Sequence, residues 1–305
     1  MPEQQSAQAV LMVRPACFGF NPQTAGSNAF QHARGEGQAT ALAEFEGVAG
    51  ALREAGILVL IAADTASPAK PDAIFPNNWV SFHGDGTVAL YPMLAANRRL
   101  ERREELVRQV AREGGFRVSR TVDFSHHESQ GKYLEGTGSL VLDRVRRVAF
   151  ACSSPRTDLD VLGDFAQQLD YDLVTFDALD AQGRPIYHTN VMMAVGSEFA
   201  IVCGESMPHA RHRDAVCAKL RETGHTIIDI SRSQMLNFAA NVLELQAPGG
   251  RVLVMSSSAL GSLNRAQRSQ LESHARIVEV AIPHIETVGG GGVRCMLAEI
   301  HLPKS

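Results

Sequence analysis

Five segments of this 305-residue chain share one design, in which a small or polar residue is followed by a short apolar stretch. The segments are FPNNWVSF (75–82), LEGTGSLVL (134–142), YHTNVMMAV (187–195), FAANVLEL (238–245) and VRCMLAEI (293–300). Aligned on Asn78, Gly138, Asn190, Asn241 and Cys295, they are separated by 60, 52, 51 and 54 residues. A similar spacing that recurs along the whole chain predicts a repeated supersecondary unit.

The residues between these segments predict what the unit contains. In the second copy, RRVAFAC (146–152) is a second apolar strand, residues 157–169 have helical periodicity, and DLVTFD (172–177) is a third strand. The first, third and fourth copies show the same order of apolar run, helical segment and β-rich run. The predicted unit is therefore ββαβ.

The fifth copy stops after its first strand, and the other end of the sequence supplies what it lacks. VLMVR (10–14) gives the second strand, residues 39–55 the helix, and ILVLIA (57–62) the last strand. We therefore expect an α/β fold of five ββαβ blades around a pseudo-fivefold axis, closed by one blade made from both terminal segments. Residues 1–305 would form one domain, with 1–9 as a flexible tail. An ordinary three-layer α/β sheet is the alternative.

Composition narrows the functional classes. The chain is 45% hydrophobic with a formal charge of −4, which argues against disorder and against a dedicated nucleic-acid binder. No apolar run approaches 18 residues, and no signal peptide is visible, so we expect no membrane partner. Five scattered cysteines without metal spacing predict reduced thiols and a cytoplasmic location.

Polar residues of the five segments would meet at the predicted axis. Among them, Cys295, His188 and Glu135 could form a nucleophilic site, with a thiolate that attacks, an imidazole that moves protons and a carboxylate that orients them. Each residue alone has a commoner structural role. Cys295 differs from the other cysteines because it follows four glycines, 289–292, which permit close backbone approach to a ligand or movement as a flap.

The strings LEGTG, YHTN and GGGGVRCM resemble the guanidine-modifying, or pentein, superfamily of α/β propellers. The resemblance extends to KPDAIFPNNW, YPMLAANRRLERRE and SPRTD, and is strongest to the arginine-deiminase-related, amidinotransferase-like branch that includes citrulline-utilisation hydrolases. It implies that Cys295 attacks the central carbon of a guanidino or ureido group. His188 would protonate the leaving amine and then activate water, while Glu135 would hold His188 or a substrate N–H.

Two positions depart from the arginine deiminase pattern. Those enzymes have aspartates where this chain has Asn78 and Asn190. Two neutral amides, each with a donor and an acceptor, suit a neutral ureido group better than a guanidinium. We therefore expect a hydrolase that converts citrulline to ornithine, CO2 and ammonia. An arginine or N-acylarginine dihydrolase is the main alternative, followed by an arginine deiminase, an amidinotransferase and a non-catalytic pentein scaffold.

The resemblance also suggests how the rest of the substrate is bound. Arg98 and Arg156 match arginines that would pair with the substrate carboxylate, and Phe75 matches a phenylalanine that lies on the planar group. Each of the three residues also has a purely structural alternative. Arg98 lies in RRLERRE, a run typical of a solvated helix face. Arg156 could anchor a helix, and Phe75 could pack in the hydrophobic core. We expect a small amino-acid substrate, no cofactor and no catalytic metal, since His126, His127 and Glu128 lack metal-ligand spacing. The sequence does not define an oligomeric state.

Overall fold

Fifteen strands form five three-stranded sheets in the structure, a computed structural model that describes residues 3–33 and 37–305. In each sheet the central strand pairs antiparallel with one neighbour and parallel with the other. The strands are β1 Ala9–Arg14, β2 Leu58–Ala63, β3 Val80–Phe82, β4 Thr87–Leu90, β5 Arg120–Asp123, β6 Val141–Asp143, β7 Val148–Cys152, β8 Asp172–Phe176, β9 Met193–Val195, β10 Phe199–Val202, β11 Thr226–Asp229, β12 Leu243–Ala247, β13 Gly250–Ser256, β14 Arg276–Val280 and β15 Ala298–Glu299. The mixed α/β class predicted from sequence is confirmed.

Helices connect the two parallel strands of every sheet. The helices are α1 Pro22–Ala25, α2 Gln38–Glu54, α3 Glu104–Gly114, α4 Gly136–Ser139, α5 Leu159–Leu169, α6 Thr189–Met192, α7 Ala210–Glu222, α8 Arg232–Met235, α9 Ser257–Ser262 and α10 Arg265–His274. The longest of them, α2, joins β1 to β2, and α3, α5 and α7 make the same connection in three other sheets. The ββαβ order predicted for the repeat is therefore present.

Both ends of the described chain enter one sheet, with strand order β15-β1-β2. Val10 pairs with Glu299 and Leu11 with Ala298 in antiparallel register. On its other side, β1 pairs in parallel with β2 along its whole length. The shared sheet inferred from the two incomplete repeats is present in this form.

The small or polar residue that opens each repeat lies in a turn or loop just before the first strand of the unit. Asn78 ends a 3₁₀ turn, Pro76–Asn78, and Cys295 lies in another, Val293–Met296. Glu135 and His188 directly precede the single-turn helices α4 and α6. These turns are too short for a periodic pattern to distinguish from the start of a strand.

Helix α5 shows how local sequence determines an element. The Asp158 side chain accepts hydrogen bonds from the backbone N–H groups of Asp160 and Val161, which caps the helix start. Four apolar residues recur at helical spacing and are buried: Val161, Leu162, Phe165 and Leu169. Leu159, at the first position of the helix, is exposed. The helix ends where Asp170 adopts a left-handed conformation with φ of 55°.

The flexible tail expected over residues 1–9 is wrong for the part that the structure describes; residues 1 and 2 lie outside it. Gln5 donates to the backbone carbonyls of Leu142 and Val195, and Ser6 donates to the Glu244 carboxylate. Ala7 is 3% exposed and forms a β-bridge with Leu245. The segment is held because its polar groups meet buried partners from three other repeats.

Removing the charge of Glu3 is expected to destabilise the fold. Glu3 forms an ion pair at 2.9 Å with Arg144, and the side chain of Arg144 is buried. The second carboxylate near Arg144 is that of Glu299, at 3.7 Å. Because a buried arginine that loses a partner keeps its desolvation cost, Glu3→Gln should lower the free energy of unfolding by about 2–3 kcal/mol in urea titrations. Glu105→Gln, at an exposed ion pair with Arg103, should change it by less than about 0.5 kcal/mol. Equal effects would contradict this role of Glu3.

Candidate active site

Residues from the third and fourth repeats contact the sulfur of Cys295. The thiol is buried, with 3% of the residue exposed. The side-chain amides of Asn190 and Asn241 approach Sγ, with Nδ2 at 3.5 Å and 3.3 Å. Burial raises the pKa of the Cys295 thiol, and the hydrogen bond from Asn241 offsets part of that rise. The resting thiol is therefore protonated at neutral pH.

His188 is oriented by Glu135, as the resemblance implied. Its Nε2 lies 2.9 Å from Glu135 Oε2, and both side chains are buried. Because Nε2–H donates to the carboxylate, the lone pair of the neutral ring is on Nδ1, which makes no hydrogen bond within the described residues. Burial lowers the pKa of His188 to about 4 despite the neighbouring carboxylate, so the imidazole is neutral and able to accept a proton at pH 7.

Glu135 is the shared anion of the site. Its Oε2 lies 3.2 Å from Arg156 Nη1 and 3.8 Å from Arg98 Nη1, and its Oε1 accepts from the backbone N–H of Leu94. Burial opposes the charge, but Arg156, His188 and Arg98 together hold the pKa of Glu135 well below its usual range. Glu135 is therefore ionised at neutral pH.

Arg98 is not on a solvated helix face. It lies in a 3₁₀ turn, Ala96–Glu101, and only 2% of it is exposed. Its guanidinium donates to the Glu101 carboxylate at 2.9 Å, and Nη1 donates to Asn78 Oδ1 at 2.8 Å. Burial raises the pKa of Glu101 to about 7 although Arg98 acts in the opposite direction. The ion pair with Glu101 in the same turn stabilises Arg98 in the protein interior, although the sequence around it is typical of a solvated helix face.

Arg156 is buried in the same way, with 2% of the residue exposed. It donates to Glu135, to the hydroxyl of Ser27 and to the backbone carbonyl of Thr24. Its guanidinium also lies 4.9 Å from the centre of the Tyr187 ring. The arginine thus connects the carboxylate of the site to the segment around α1.

Glycine is required where the turn after Glu135 packs against Asn78 and His188. A Cβ at Gly138 would lie 2.5 Å from Asn78 Nδ2 and 2.7 Å from His188 Nδ1. Gly136 has φ of +46°, a conformation that side-chain-bearing residues rarely adopt. The two glycines of LEGTG therefore let the second repeat pack directly against Asn78 and His188.

The candidate site is a pocket in front of Cys295. Its lining comprises Thr24, Asn28, Asp72, Phe75, Asn78, Arg98, Arg156, Tyr187, His188, Gly289, Gly290, Gly291 and Cys295. Asn190 and Glu135 do not line it but contact Cys295 and His188 directly. All eight residues singled out from the sequence thus lie together.

The glycine loop is a packed wall of this pocket. A Cβ at Gly289 or Gly291 would lie about 3 Å from the Phe75 ring. The carbonyl of Gly290 accepts hydrogen bonds from Tyr187 and Asn28. Of the two alternatives raised from sequence, close approach of backbone and movement as a flap, these contacts favour close approach.

Sequence reasoning missed four residues that line the pocket, Thr24, Asn28, Asp72 and Tyr187. Asp72 Oδ2 accepts from Asn21 and Thr24, while its Oδ1 is buried with no partner among the described residues. Burial raises the pKa of Asp72, against the effect of Arg98. The string KPDAIFPNNW contains this aspartate, which was the available signal.

His126 and His127 both face Asp164 of α5. His127 Nε2 lies 2.9 Å from Asp164 Oδ2, and its Nδ1 is buried with no partner in the described part of the chain. If Nε2 bound a metal ion, the ring proton would have to be on that unpartnered Nδ1, which is costly. A hydrogen bond that ties the 3₁₀ turn Ser125–Gln130 to α5 explains the contact.

Similarity to known proteins extends over nearly the whole chain. The sequence model of the family described as N,N dimethylarginine dimethylhydrolase, eukaryotic, matches residues 14–302. No curated protein matches the sequence.

Solved structures with similar folds include the N-terminal domain of ArgZ bound to product, an arginine dihydrolase from the ornithine–ammonia cycle in cyanobacteria. It matches with a TM-score of 0.72 at 19% identity, over 97% of this chain and 99% of that chain. AgrE, as a complex of a Cys→Ala variant with L-arginine, matches at 0.74 and 17%, over 97% of this chain and 40% of that chain. A dimethylarginine dimethylaminohydrolase adduct with S-methyl-L-thiocitrulline matches at 0.68 and 16%, over 96% and 100%. At such identities the likeness shows the shared fold alone.

Proposed function

Because the chain belongs to the N,N-dimethylarginine dimethylhydrolase family, within the pentein superfamily of hydrolases acting on carbon–nitrogen bonds, we propose that it hydrolyses citrulline to ornithine, CO2 and ammonia. The observation that carries the choice of substrate is the contact between Arg98 and Asn78. The Asn78 carbonyl accepts from a guanidinium, which can only donate. Nδ2 of Asn78 donates one hydrogen to Asn77 Oδ1 at 3.0 Å. The amide therefore offers its second N–H, and not its oxygen, to a bound substrate.

A ureido group complements such a site and a guanidinium does not. The ureido carbonyl oxygen accepts from the free N–H of Asn78, and ureido nitrogens donate to Asn190 Oδ1, which is buried with no partner among the described residues. A guanidinium has only N–H groups and would face an N–H of Asn78, with the cation of Arg98 directly behind it. The neutral substrate avoids both conflicts.

The chemistry follows from the protonation states of the resting site. Cys295 Sγ attacks the ureido carbon, and the thiol proton passes to Nδ1 of His188. Glu135, which accepts from Nε2–H, stabilises the imidazolium that forms. His188 then protonates the leaving nitrogen, the C–N bond breaks, and a thiocarbamate remains on the sulfur.

Water completes the cycle. His188 takes a proton from water while the water oxygen attacks the thiocarbamate carbon. The C–S bond then breaks, and His188 returns the proton to the sulfur. The released carbamic acid decomposes to an amine and CO2. Citrulline plus one water thus gives ornithine, ammonia and CO2, and no cofactor is needed for the balance.

The amino-acid end of the substrate has charged partners in the pocket. Arg98 and Arg156 each keep one Nη1–H that is not hydrogen-bonded within the described residues, and we assign the substrate carboxylate to this pair. The unpartnered Oδ1 of Asp72 accepts from the substrate ammonium. Phe75 lies against the planar head group beside Cys295.

An arginine dihydrolase is the second candidate, and Asp72 is the observation that favours it. A carboxylate oxygen without a partner in this pocket could neutralise a guanidinium. ArgZ, whose fold is similar, is an arginine dihydrolase.

Amino-acid analysis after separate incubation with citrulline, arginine, N-acetylarginine and N,N-dimethylarginine distinguishes the candidates. We expect ornithine from citrulline and no product from the other three compounds. Ornithine formed from arginine but not from citrulline would overturn the proposal.

Asn78→Asp is expected to shift the substrate preference toward arginine. The new carboxylate pairs with a guanidinium and removes the N–H offered to the ureido oxygen. Since one partner of a buried ion pair contributes roughly 3–5 kcal/mol, the ratio of kcat/KM for arginine to that for citrulline should rise by at least about 100-fold.

The matched control for this prediction is Asn97→Asp, which adds the same charge next to Arg98 but outside the pocket lining. It should change the ratio by less than about twofold, because that charge is separated from the head group. An unchanged ratio in Asn78→Asp would show that Asn78 does not contact the head group.

We also propose that the five sheets surround one axis as a closed propeller and that residues 1–305 form one catalytic domain. Contacts between neighbouring units support this: β15 contacts β3, β6 contacts β9, and the bridge from Ala7 to Leu245 joins the β15-β1-β2 sheet to the β12-β13-β14 sheet. Helices α2, α3 and α7 each pack on the last strand of the preceding unit. One cooperative unfolding transition is the corresponding expectation.

The cytoplasmic location stays a prediction, supported by the five cysteines, which are all free. No helix in the described ranges is long and apolar enough to cross a membrane. A non-catalytic scaffold is disfavoured because Cys295 and His188 line the same pocket and Glu135 contacts His188. Amidino transfer would require an amine acceptor in place of water, and product analysis with added glycine tests it.

A further inference from the structure

We propose that Asn241 is a further catalytic residue, whose amide N–H stabilises the thiolate of Cys295 as it forms. The proposal rests on the assignment of Cys295 as the nucleophile. Asn241 lies between α8 and β12 in the fourth repeat, and 1% of it is exposed. It occupies in its repeat the position that Asn78 and Asn190 occupy in theirs.

The amide is held in one orientation. Nδ2 lies 3.3 Å from Cys295 Sγ and 3.1 Å from the backbone carbonyl of Asn190. Because that carbonyl only accepts, Nδ2 and not Oδ1 must face it, and each of the two Nδ2 hydrogens has one partner. Oδ1 lies 3.6 Å from Sγ, where it can accept from the thiol but not from the thiolate. The Asn190 carbonyl therefore fixes an N–H that points at the sulfur.

The backbone of the glycine loop makes room for this contact. A Cβ at Gly292 would lie 2.7 Å from Asn241 Oδ1 and 3.1 Å from the Phe238 ring. Glycine at this position lets the amide lie beside the turn that carries Cys295. Loop and amide thus fit together around the nucleophile.

A fixed donor matters here because no cation among the described residues lies within hydrogen-bond distance of the sulfur. The side-chain groups within hydrogen-bond distance of Sγ in the described part of the chain are the amides of Asn190 and Asn241. Hydrogen bonds to an ionised acceptor are about twice as strong as those to a neutral one, so the N–H favours the thiolate over the thiol. A donor already in place needs no reorganisation when charge develops on the sulfur.

The test is the pH dependence of Cys295 alkylation by iodoacetamide, followed by mass spectrometry of the peptide that carries Cys295. Alkylation requires the thiolate but no substrate, so the result is independent of whether citrulline is turned over. In Asn241→Ala the midpoint of the pH profile should rise by about one to two units, a 10- to 100-fold slower reaction at pH 7. The rate should return to the native value above the new midpoint, which a disordered site would not show.

Two more variants complete the test. Asn241→Asp keeps the size of the side chain and removes the donor, and its negative charge should raise the midpoint at least as far as alanine does. Asn237→Ala, at an exposed asparagine in the same loop, should leave the midpoint unchanged. Midpoints within about 0.3 units of native in both Asn241 variants would overturn the proposal. A shifted midpoint in a protein that turns over no citrulline would support Asn241 and overturn only the proposed substrate.

Discussion

Replacing Cys295 with alanine is expected to lower kcat for citrulline by at least about 10⁴-fold. The covalent route has no other nucleophile, since the described residues place only amides beside the sulfur. Removal of a nucleophile elsewhere reduces catalysis to what binding and electrostatics alone supply, a loss of that order or larger. Ornithine formation by the purified variant, followed over hours at high enzyme concentration, measures the residual rate.

Cys203→Ala provides the matched control. Cys203 is also fully buried, but it contacts Ser206 and lies outside the pocket lining. This variant should keep kcat within about twofold of native. Activity that survived in Cys295→Ala would exclude the thiocarbamate route and require water to attack the substrate directly.

Glu135→Gln should lower both activity and stability. A glutamine can present its N–H₂ to Nε2 of His188 and so favour the tautomer with the ring proton on Nδ1. In comparable triads the wrong tautomer lowers kcat by about 10⁴-fold, so we expect kcat to fall by about 10³- to 10⁴-fold. The same change leaves Arg156 and Arg98 without their shared carboxylate. Because these cations are buried, the free energy of unfolding should fall by about 3 kcal/mol at pH 7.

The pH dependence of this stability loss has a definite sign. The folded-state pKa of Glu135 lies below its unfolded value, so its stabilisation is complete above the unfolded pKa and is lost as the pH falls toward the folded one. The difference in unfolding free energy between native protein and Glu135→Gln should therefore shrink between pH 5 and pH 3. A constant difference would mean that Glu135 acts through packing and not through charge.

Glu128→Gln is the control for this second experiment. Glu128 is also ion-paired, to Arg102 at 2.6 Å, and accepts from a backbone N–H, but it does not contact His188. Its replacement should cost less stability than Glu135→Gln, because Glu128 is partly exposed, and should change kcat by less than about threefold. Parallel losses in both variants would indicate general damage to this side of the pocket.

The repeat could be predicted from sequence because each unit contains the same succession of periodic patterns, which do not depend on tertiary contacts. The reactive groups could be predicted for the same reason: Asn78, Glu135, His188 and Cys295 lie at equivalent or adjacent positions of that repeat. Any closed arrangement of equivalent units places such positions near one another.

Features that depend on pairing across the fold could not be predicted. Arg98 lies in a charged run, and nothing local indicates that Glu101, Asp72 and Glu135 compensate it in the interior. The polar residues before β1 look like a tail, because their buried partners come from distant parts of the sequence. Asp72 was missed for a related reason: it belongs to the connection after β2, outside every aligned segment.

The sheet that joins β15, β1 and β2 has a consequence for biosynthesis. During translation β1 emerges early, whereas its partner β15 follows about 290 residues later, since Val10 pairs with Glu299. One edge of β1 therefore stays open until the ribosome has made the segment that also carries Cys295. Joining such distant strands makes the contact order high and the last folding step slow. The nascent chain can thus assemble most of the residues that line the pocket before it contains Cys295, the proposed nucleophile.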